Sequence, residues 1–140
     1  MIVKTALIIR RPVADVFQAF VDPAVTTRFW FTKSSGPLKP GAVVDWRWEM
    51  FDVGTTVTVK DVVRNERILI EWNPDDPSTV EWRFTPRDDG STHVQITEDD
   101  IKGDVAAHAL DSMQGFSLVL AGAKAWLEHG IELNLVADHG

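Results

Sequence analysis

Four tryptophans stand at alternate positions in three stretches rich in strand formers, and this constrains the fold more than any other feature. In residues 42–50 (AVVDWRWEM), the even positions Val44, Trp46, Trp48 and Met50 share a face. In residues 68–72 that face carries Ile68, Ile70 and Trp72, and in residues 80–84 it carries Val80, Trp82 and Phe84. Strand side chains alternate with period two, so the large aromatics go one way. Asp45, Arg47, Glu49, Glu71, Glu81 and Arg83 go the other way and read as charge pairs on a solvated face. A sheet with so much aromatic surface on one side must cover it with a helix or curl around something.

The rest of the chain supplies both. Residues 3–11 (VKTALIIRR) read as a first strand, ended by Pro12. Val13, Val16, Phe17 and Phe20 then recur at helical spacing. Asp22 caps a second short helix with Pro23 at its first position, ending near residues 28–31. Residues 32–41 hold two glycines and two prolines and read as a loop. Five strands are expected at 42–51, 55–63, 67–73, 78–86 and 91–97, separated by turns rich in Asn, Asp, Gly and Pro. Such short connections imply antiparallel meanders.

From Asp104 the pattern becomes helical, to about His129, with Gly130 just past the end. Met113, Phe116, Leu120 and Leu127 form its apolar stripe, widened by Val119, Ala123 and Trp126. Gly115 and Gly122 fall on nearly one face, where close approach to the sheet would justify their cost in helix propensity. A break near residues 111–112 is the alternative to one continuous helix. The expected fold is therefore α+β, one domain over residues 1–140: a curved antiparallel six-stranded sheet wrapped around a long C-terminal helix, with two short helices after the first strand. A cavity between helix and sheet is the natural by-product.

Composition narrows the function by exclusion. The chain has no cysteine, which removes disulfides and thiolate chemistry. A formal net charge of −7 disfavours nucleic acid and anionic membrane as partners. No apolar run reaches the ~20 residues of a membrane span, and the start lacks a signal peptide's apolar stretch, so a cytoplasmic protein without membrane insertion is expected. There is no phosphate loop, no nucleophile elbow and no histidine pair at metal-ligand spacing, so neither a cofactor nor a metal is expected.

Several segments in order resemble the START-like (SRPBCC, helix-grip) superfamily, and within it the branch of homologue-1-like activators of heat-shock-protein-90 ATPase. They are residues 9–17 (IRRPVADVF), 20–23 (FVDP), 28–31 (RFWF), 54–59 (GTTVTV), 62–72 (VVRNERILIEW), 89–96 (DGSTHVQI) and 114–116 (QGF). Phe116 departs from the branch, which usually has tryptophan after that glycine. The resemblance implies the helix-grip fold and an apolar ligand cavity under the long helix. Its members include lipid carriers, hormone receptors and polyketide cyclases, and its branch name implies a chaperone as partner.

The candidate ligand-binding residues are Trp30, Trp46, Trp48, Trp72, Trp82, Phe84, Met113 and Phe116. Two readings stand side by side for the tryptophans: core packing alone, or a cup in which indole N–H groups orient a small apolar molecule. The catalytic candidates are Glu98 and His108. Glu98 has the inward parity of Val94 and Ile96, but unpaired acids are seldom buried, so it reads as part of a solvated turn with Asp99 and Asp100. His108 reads as a surface residue, or as a base at the cavity mouth. His93 has outward parity and is set aside. The function expected is binding without chemistry; the alternatives are a cyclase- or hydrolase-like enzyme and a co-chaperone-like interaction protein. The apolar first strand, if left at a sheet edge, offers a homodimer contact unless it is covered.

Overall fold

The computed structural model describes residues 2–139; Met1 and Gly140 lie outside them. Strand β1 (Val3–Ile9) leads into helices α1 (Val13–Val21) and α2 (Pro23–Thr26). Six more strands follow: β2 (Lys33–Ser34), β3 (Val43–Trp48), β4 (Val53–Val63), β5 (Arg67–Trp72), β6 (Ser78–Pro86) and β7 (Thr92–Asp99). The long helix α3 (Val105–His129) and a short α4 (Leu135–Asp138) complete the chain. All the strand pairs are antiparallel, in the order β1-β7-β6-β5-β4-β3-β2. The architecture is the expected α+β helix grip, with seven strands in place of six. The additional strand, β2, is two residues inside the expected loop, recruited by pairing Lys33 with Arg47 and Ser34 with Trp46.

Asp22 caps α2, its carboxylate accepting from the Ala24 N–H at 3.0 Å. Asp104 caps α3 through the Ala107 N–H, and Gly130 ends that helix at φ +65°. Helix α3 is continuous through Asp111 and Ser112, which removes the alternative of a break there. Gly122 does mark a close approach, but to the segment after α2 and not to the sheet: a Cβ there would lie 3.1 Å from the Phe29 Cβ. Gly115 does not, since a Cβ there would meet nothing within 4 Å.

The alternation fails after Trp48. Residues Glu49–Phe51 form a 3-10 turn, so Met50 leaves the inward face and is exposed. The concave face otherwise follows the alternation, with Val44, Trp46, Val57, Val59, Ile68, Ile70, Val80, Trp82, Phe84, Val94 and Ile96 all buried. On the convex face Glu81 receives Arg67 at 2.6 Å and Arg83 at 2.8 Å.

Strand β1 is a sheet edge, but α3 lies along it. Lys124 Nζ donates to the Ile8 carbonyl at 2.7 Å, and the Arg10 N–H donates to Glu128 Oε2 at 2.9 Å. These outward backbone groups are thereby occupied, so the edge is covered at its C-terminal end.

Candidate functional site

Covering elements divide the aromatic face into a packed half and an open half. Helix α1 lays Phe17 and Phe20 over one end. Phe17 meets Phe84 edge-on at 5.5 Å between centroids, and Phe20 lies 6.2 Å from Trp82. Phe31 stacks on Trp46 at 4.6 Å. Trp46, Trp82 and Phe84 are consequently 4% exposed or less and belong to the core, not to a cavity wall. Trp82 Nε1 is buried without a hydrogen-bond partner among the described residues.

The other half stays open. A cavity of about 290 Å³ lies between the sheet and α3, walled by Trp30, Trp48, Trp72, Phe116, Val119 and Val53. Trp30 is its hub, with centroids 6.2 Å from Trp48, 6.1 Å from Trp72 and 6.2 Å from Phe116. Trp72 and Phe116 stack at 5.7 Å. Gly115 borders the same space. The mouth is bounded by Phe51 and by the chain's last turn, which contributes Val136 and His139. That segment is anchored by the Arg28–Glu132 ion pair at 3.1 Å.

Of the eight expected ligand-binding residues, the structure therefore brings Trp30, Trp48, Trp72 and Phe116 to the cavity. Met113 is 40% exposed and turned away from it. Ser112, Phe116 and Val119 hold the helix face toward the sheet, and a residue one step from Ser112 rotates about 100° off that face.

At one end of the cavity the concave face turns polar, and here the expectation for Glu98 is overturned. Strand β7 runs on to Asp99, paired with β1 and β6, so Glu98 keeps its inward parity and is fully buried. Burial is tolerated because neutral donors converge on the carboxylate. Ser78 Oγ donates to Oε2 at 2.6 Å, and Trp72 Nε1 donates to the same oxygen at 3.1 Å. Ser112 Oγ donates to Oε1 at 2.5 Å. Register explains the meeting: Trp72 faces Ser78 across β5–β6, and Ser78 lies diagonal to Glu98 across β6–β7. Hydrogen bonds at both oxygens offset much of the cost of taking the group out of water.

His108 is the second correction. Its side chain is only 27% exposed, lines the cavity, and brings Nε2 to 3.5 Å from Glu98 Oε1. His108 and Ser112 are four apart on α3, so one helix face delivers both to the same carboxylate oxygen. Sequence reasoning missed Ser78 and Ser112. The i, i+4 spacing of His108 and Ser112 was the available signal for one; nothing local marked the other. Asn73, Asp111 and His139 also border the cavity. His139 Nδ1 lies 2.5 Å from the Val136 carbonyl, and its ring meets Phe51 edge-on at 5.8 Å. No group of three or more metal-binding side chains gathers among the described residues. No described helix is long and apolar enough to cross a membrane.

Residues 10–128 match the family model described as activator of Hsp90 ATPase homolog 1-like protein. The chain belongs to this family. Among solved structures it is similar to protein SSP2350 from Staphylococcus saprophyticus, at 28% identity and a TM-score of 0.84, over 95% of this chain and 96% of that one. It is similar in fold to DynU16, a putative protein in the dynemicin biosynthetic locus, at 19% identity and a TM-score of 0.84. That likeness covers 94% of this chain and 48% of the other. A third likeness is to the Aha1 dimer from Colwellia psychrerythraea, at 17% identity and a TM-score of 0.80, covering 93% and 98%. No curated protein matches the chain at a significant level.

Proposed function

We propose that this protein binds a small, largely apolar molecule between its sheet and α3. The observation that carries this reading is the cavity of about 290 Å³, walled by three indoles and Phe116, in a domain whose remaining concave face is close-packed. Packed interiors rarely leave such a void, and an apolar cavity of about 150 Å³ already takes benzene. On that scale this one holds a ligand of roughly a dozen non-hydrogen atoms. The experiment is native mass spectrometry of protein purified from its own host, with tryptophan fluorescence as the second readout. A co-purified small molecule, and quenching by apolar probes that is lost on filling the cavity, is the expected result. A protein free of ligand and silent to a hydrophobic library would sink the proposal.

A second reading is favoured by one observation, the meeting of Glu98 and His108 at the polar end. A carboxylate that orients an imidazole at a cavity wall supports proton transfer to or from a bound molecule. In that reading His108 exchanges the proton and Glu98 positions it. His108→Ala would then abolish turnover of the bound molecule while leaving its affinity within a few fold. Unchanged turnover would leave the binding function alone. The dimer solved for the Colwellia protein supports a homodimer here as well; α3 covers only the C-terminal end of β1, which leaves the stretch of that edge with exposed Lys4 and Ala6 as one available surface.

A further inference from the structure

A cavity selects the polar end of its ligand by the groups it offers. Most of the polar groups here gather at one end: His108, Asp111 and Ser112 from one face of α3, with Asn73 opposite, while His139 stands at the mouth beside Phe51. Among the described residues that line the cavity, none is lysine or arginine. Behind Ser112 stands Glu98, fully buried and held by two serine hydroxyls and one indole N–H. All three donors are neutral groups, and among the groups facing the carboxylate the His108 ring stands at 3.5 Å. Asp111 adds a second carboxylate at the exposed rim. The walls add to the same sign wherever an indole face is free, because such faces are electron-rich and attract cations; one face of Trp72 is taken by Phe116. The start of α3 opposes this with a partial positive charge, but Asp104 already caps that end.

Resting on the cavity reading above, we infer that the site selects a small organic amine. Its apolar body lies among Trp30, Trp48, Trp72 and Phe116, and its ammonium group lies at the His108–Asp111–Ser112 end, in the field of Glu98. A carboxylate or phosphate head would meet two acids and no lysine or arginine there. A neutral hydroxyl would find hydrogen bonds without the charge.

The test uses one carbon skeleton with three heads: phenylbutylamine, phenylbutanol and phenylbutyrate, titrated by tryptophan fluorescence and calorimetry. General attraction to a protein of net charge −7 is suppressed by working in about 0.5 M salt, where screening acts over roughly 4 Å. The expected result is an amine bound about tenfold more tightly than the alcohol, with the carboxylate weaker than both, as a charge-assisted contact gives. Glu98→Gln and Asp111→Asn should each reduce the amine-to-alcohol ratio. Should Glu98→Gln fail to fold, Asp111→Asn at the exposed rim carries the same comparison. Equal binding of all three heads, or preference for the carboxylate, overturns the inference and leaves the cavity reading standing. An amine preference that survives both substitutions overturns it too. If none of the three binds, the cavity reading itself fails and takes the inference with it.

Discussion

Replacing Gly115 separates the stability of α3 from the use of the cavity beneath it. Glycine inside a helix costs about 0.8–1.0 kcal/mol relative to alanine. That gain is available only if the new methyl fits, and a Cβ at Gly115 meets nothing within 4 Å. Gly115→Ala should therefore stabilise the protein by about 0.5–1 kcal/mol, or roughly 2–3 °C in melting temperature for a chain of this length. Gly122→Ala is the internal control. Its Cβ would press on Phe29 at 3.1 Å, so the same exchange should yield no gain or a loss there. Gly115→Leu should keep the helix but send its side chain into the cavity, abolishing probe-induced quenching of tryptophan fluorescence while the unliganded melting temperature stays at or above that of the parent. The assay is thermal unfolding by circular dichroism with and without an apolar probe, since a ligand that binds only the folded state raises the transition. A fall in melting temperature for Gly115→Ala would show that the space is not open. Undiminished probe binding by Gly115→Leu would show that ligands go elsewhere.

Other outcomes follow from the same geometry. Trp82→Ala should cost about 3–5 kcal/mol in urea unfolding, because the ring is fully enclosed, whereas Trp48→Ala at the cavity wall should cost clearly less and reduce probe binding more. Ser78→Ala should cost about 1–3 kcal/mol, since it removes a donor from buried Glu98 and an acceptor from the Trp72 N–H. Stability should also fall in acid. Burial acts to raise Glu81, but hydrogen bonds from Arg67 and Arg83 outweigh it and hold the carboxyl below its ordinary value. Burial is likewise outweighed at Glu128 by the Arg10 N–H and Lys124. Both depressed groups therefore stabilise the fold fully above the unfolded-state value of 4.5, and that contribution is lost as pH falls through the lower folded values. Urea midpoints measured down to about pH 3 should show this loss, and Glu81→Gln with Glu128→Gln should flatten it.

Much of the fold was legible because its determinants are local. Two-residue alternation put Trp46, Trp72 and Trp82 on the face that proved concave, and the Asp22, Asp104 and Gly130 caps bounded their helices as read. The misreadings occurred where a neighbour in space decides. Met50 lost its parity to a 3-10 turn that begins three residues before Asp52, the left-handed turn residue that closes it. Strand β2 exists only because β3 offers it an edge. Strand β7 continued because β1 pairs with it as far as Glu98 and β6 as far as Asp99, which carried Glu98 inward against the rule that acids stay wet.

Periodicity, caps and turn chemistry act over a few residues, so the sheet's apolar face and the helix order could be read along the chain, and the ordered segments added the family. The sequence by itself could not say which aromatics wall a cavity and which fill the core, since all share one parity. The tertiary structure decided that through the elements laid over each: α1 and Phe31 cover Trp82, Phe84 and Trp46, while Gly115 leaves the space beside Trp48 and Trp72 open. It likewise decided the polar end, because a carboxylate stays buried only where donors from distant segments meet it. Trp72, Ser78 and Ser112 come from three elements that only the curled sheet and its helix bring together.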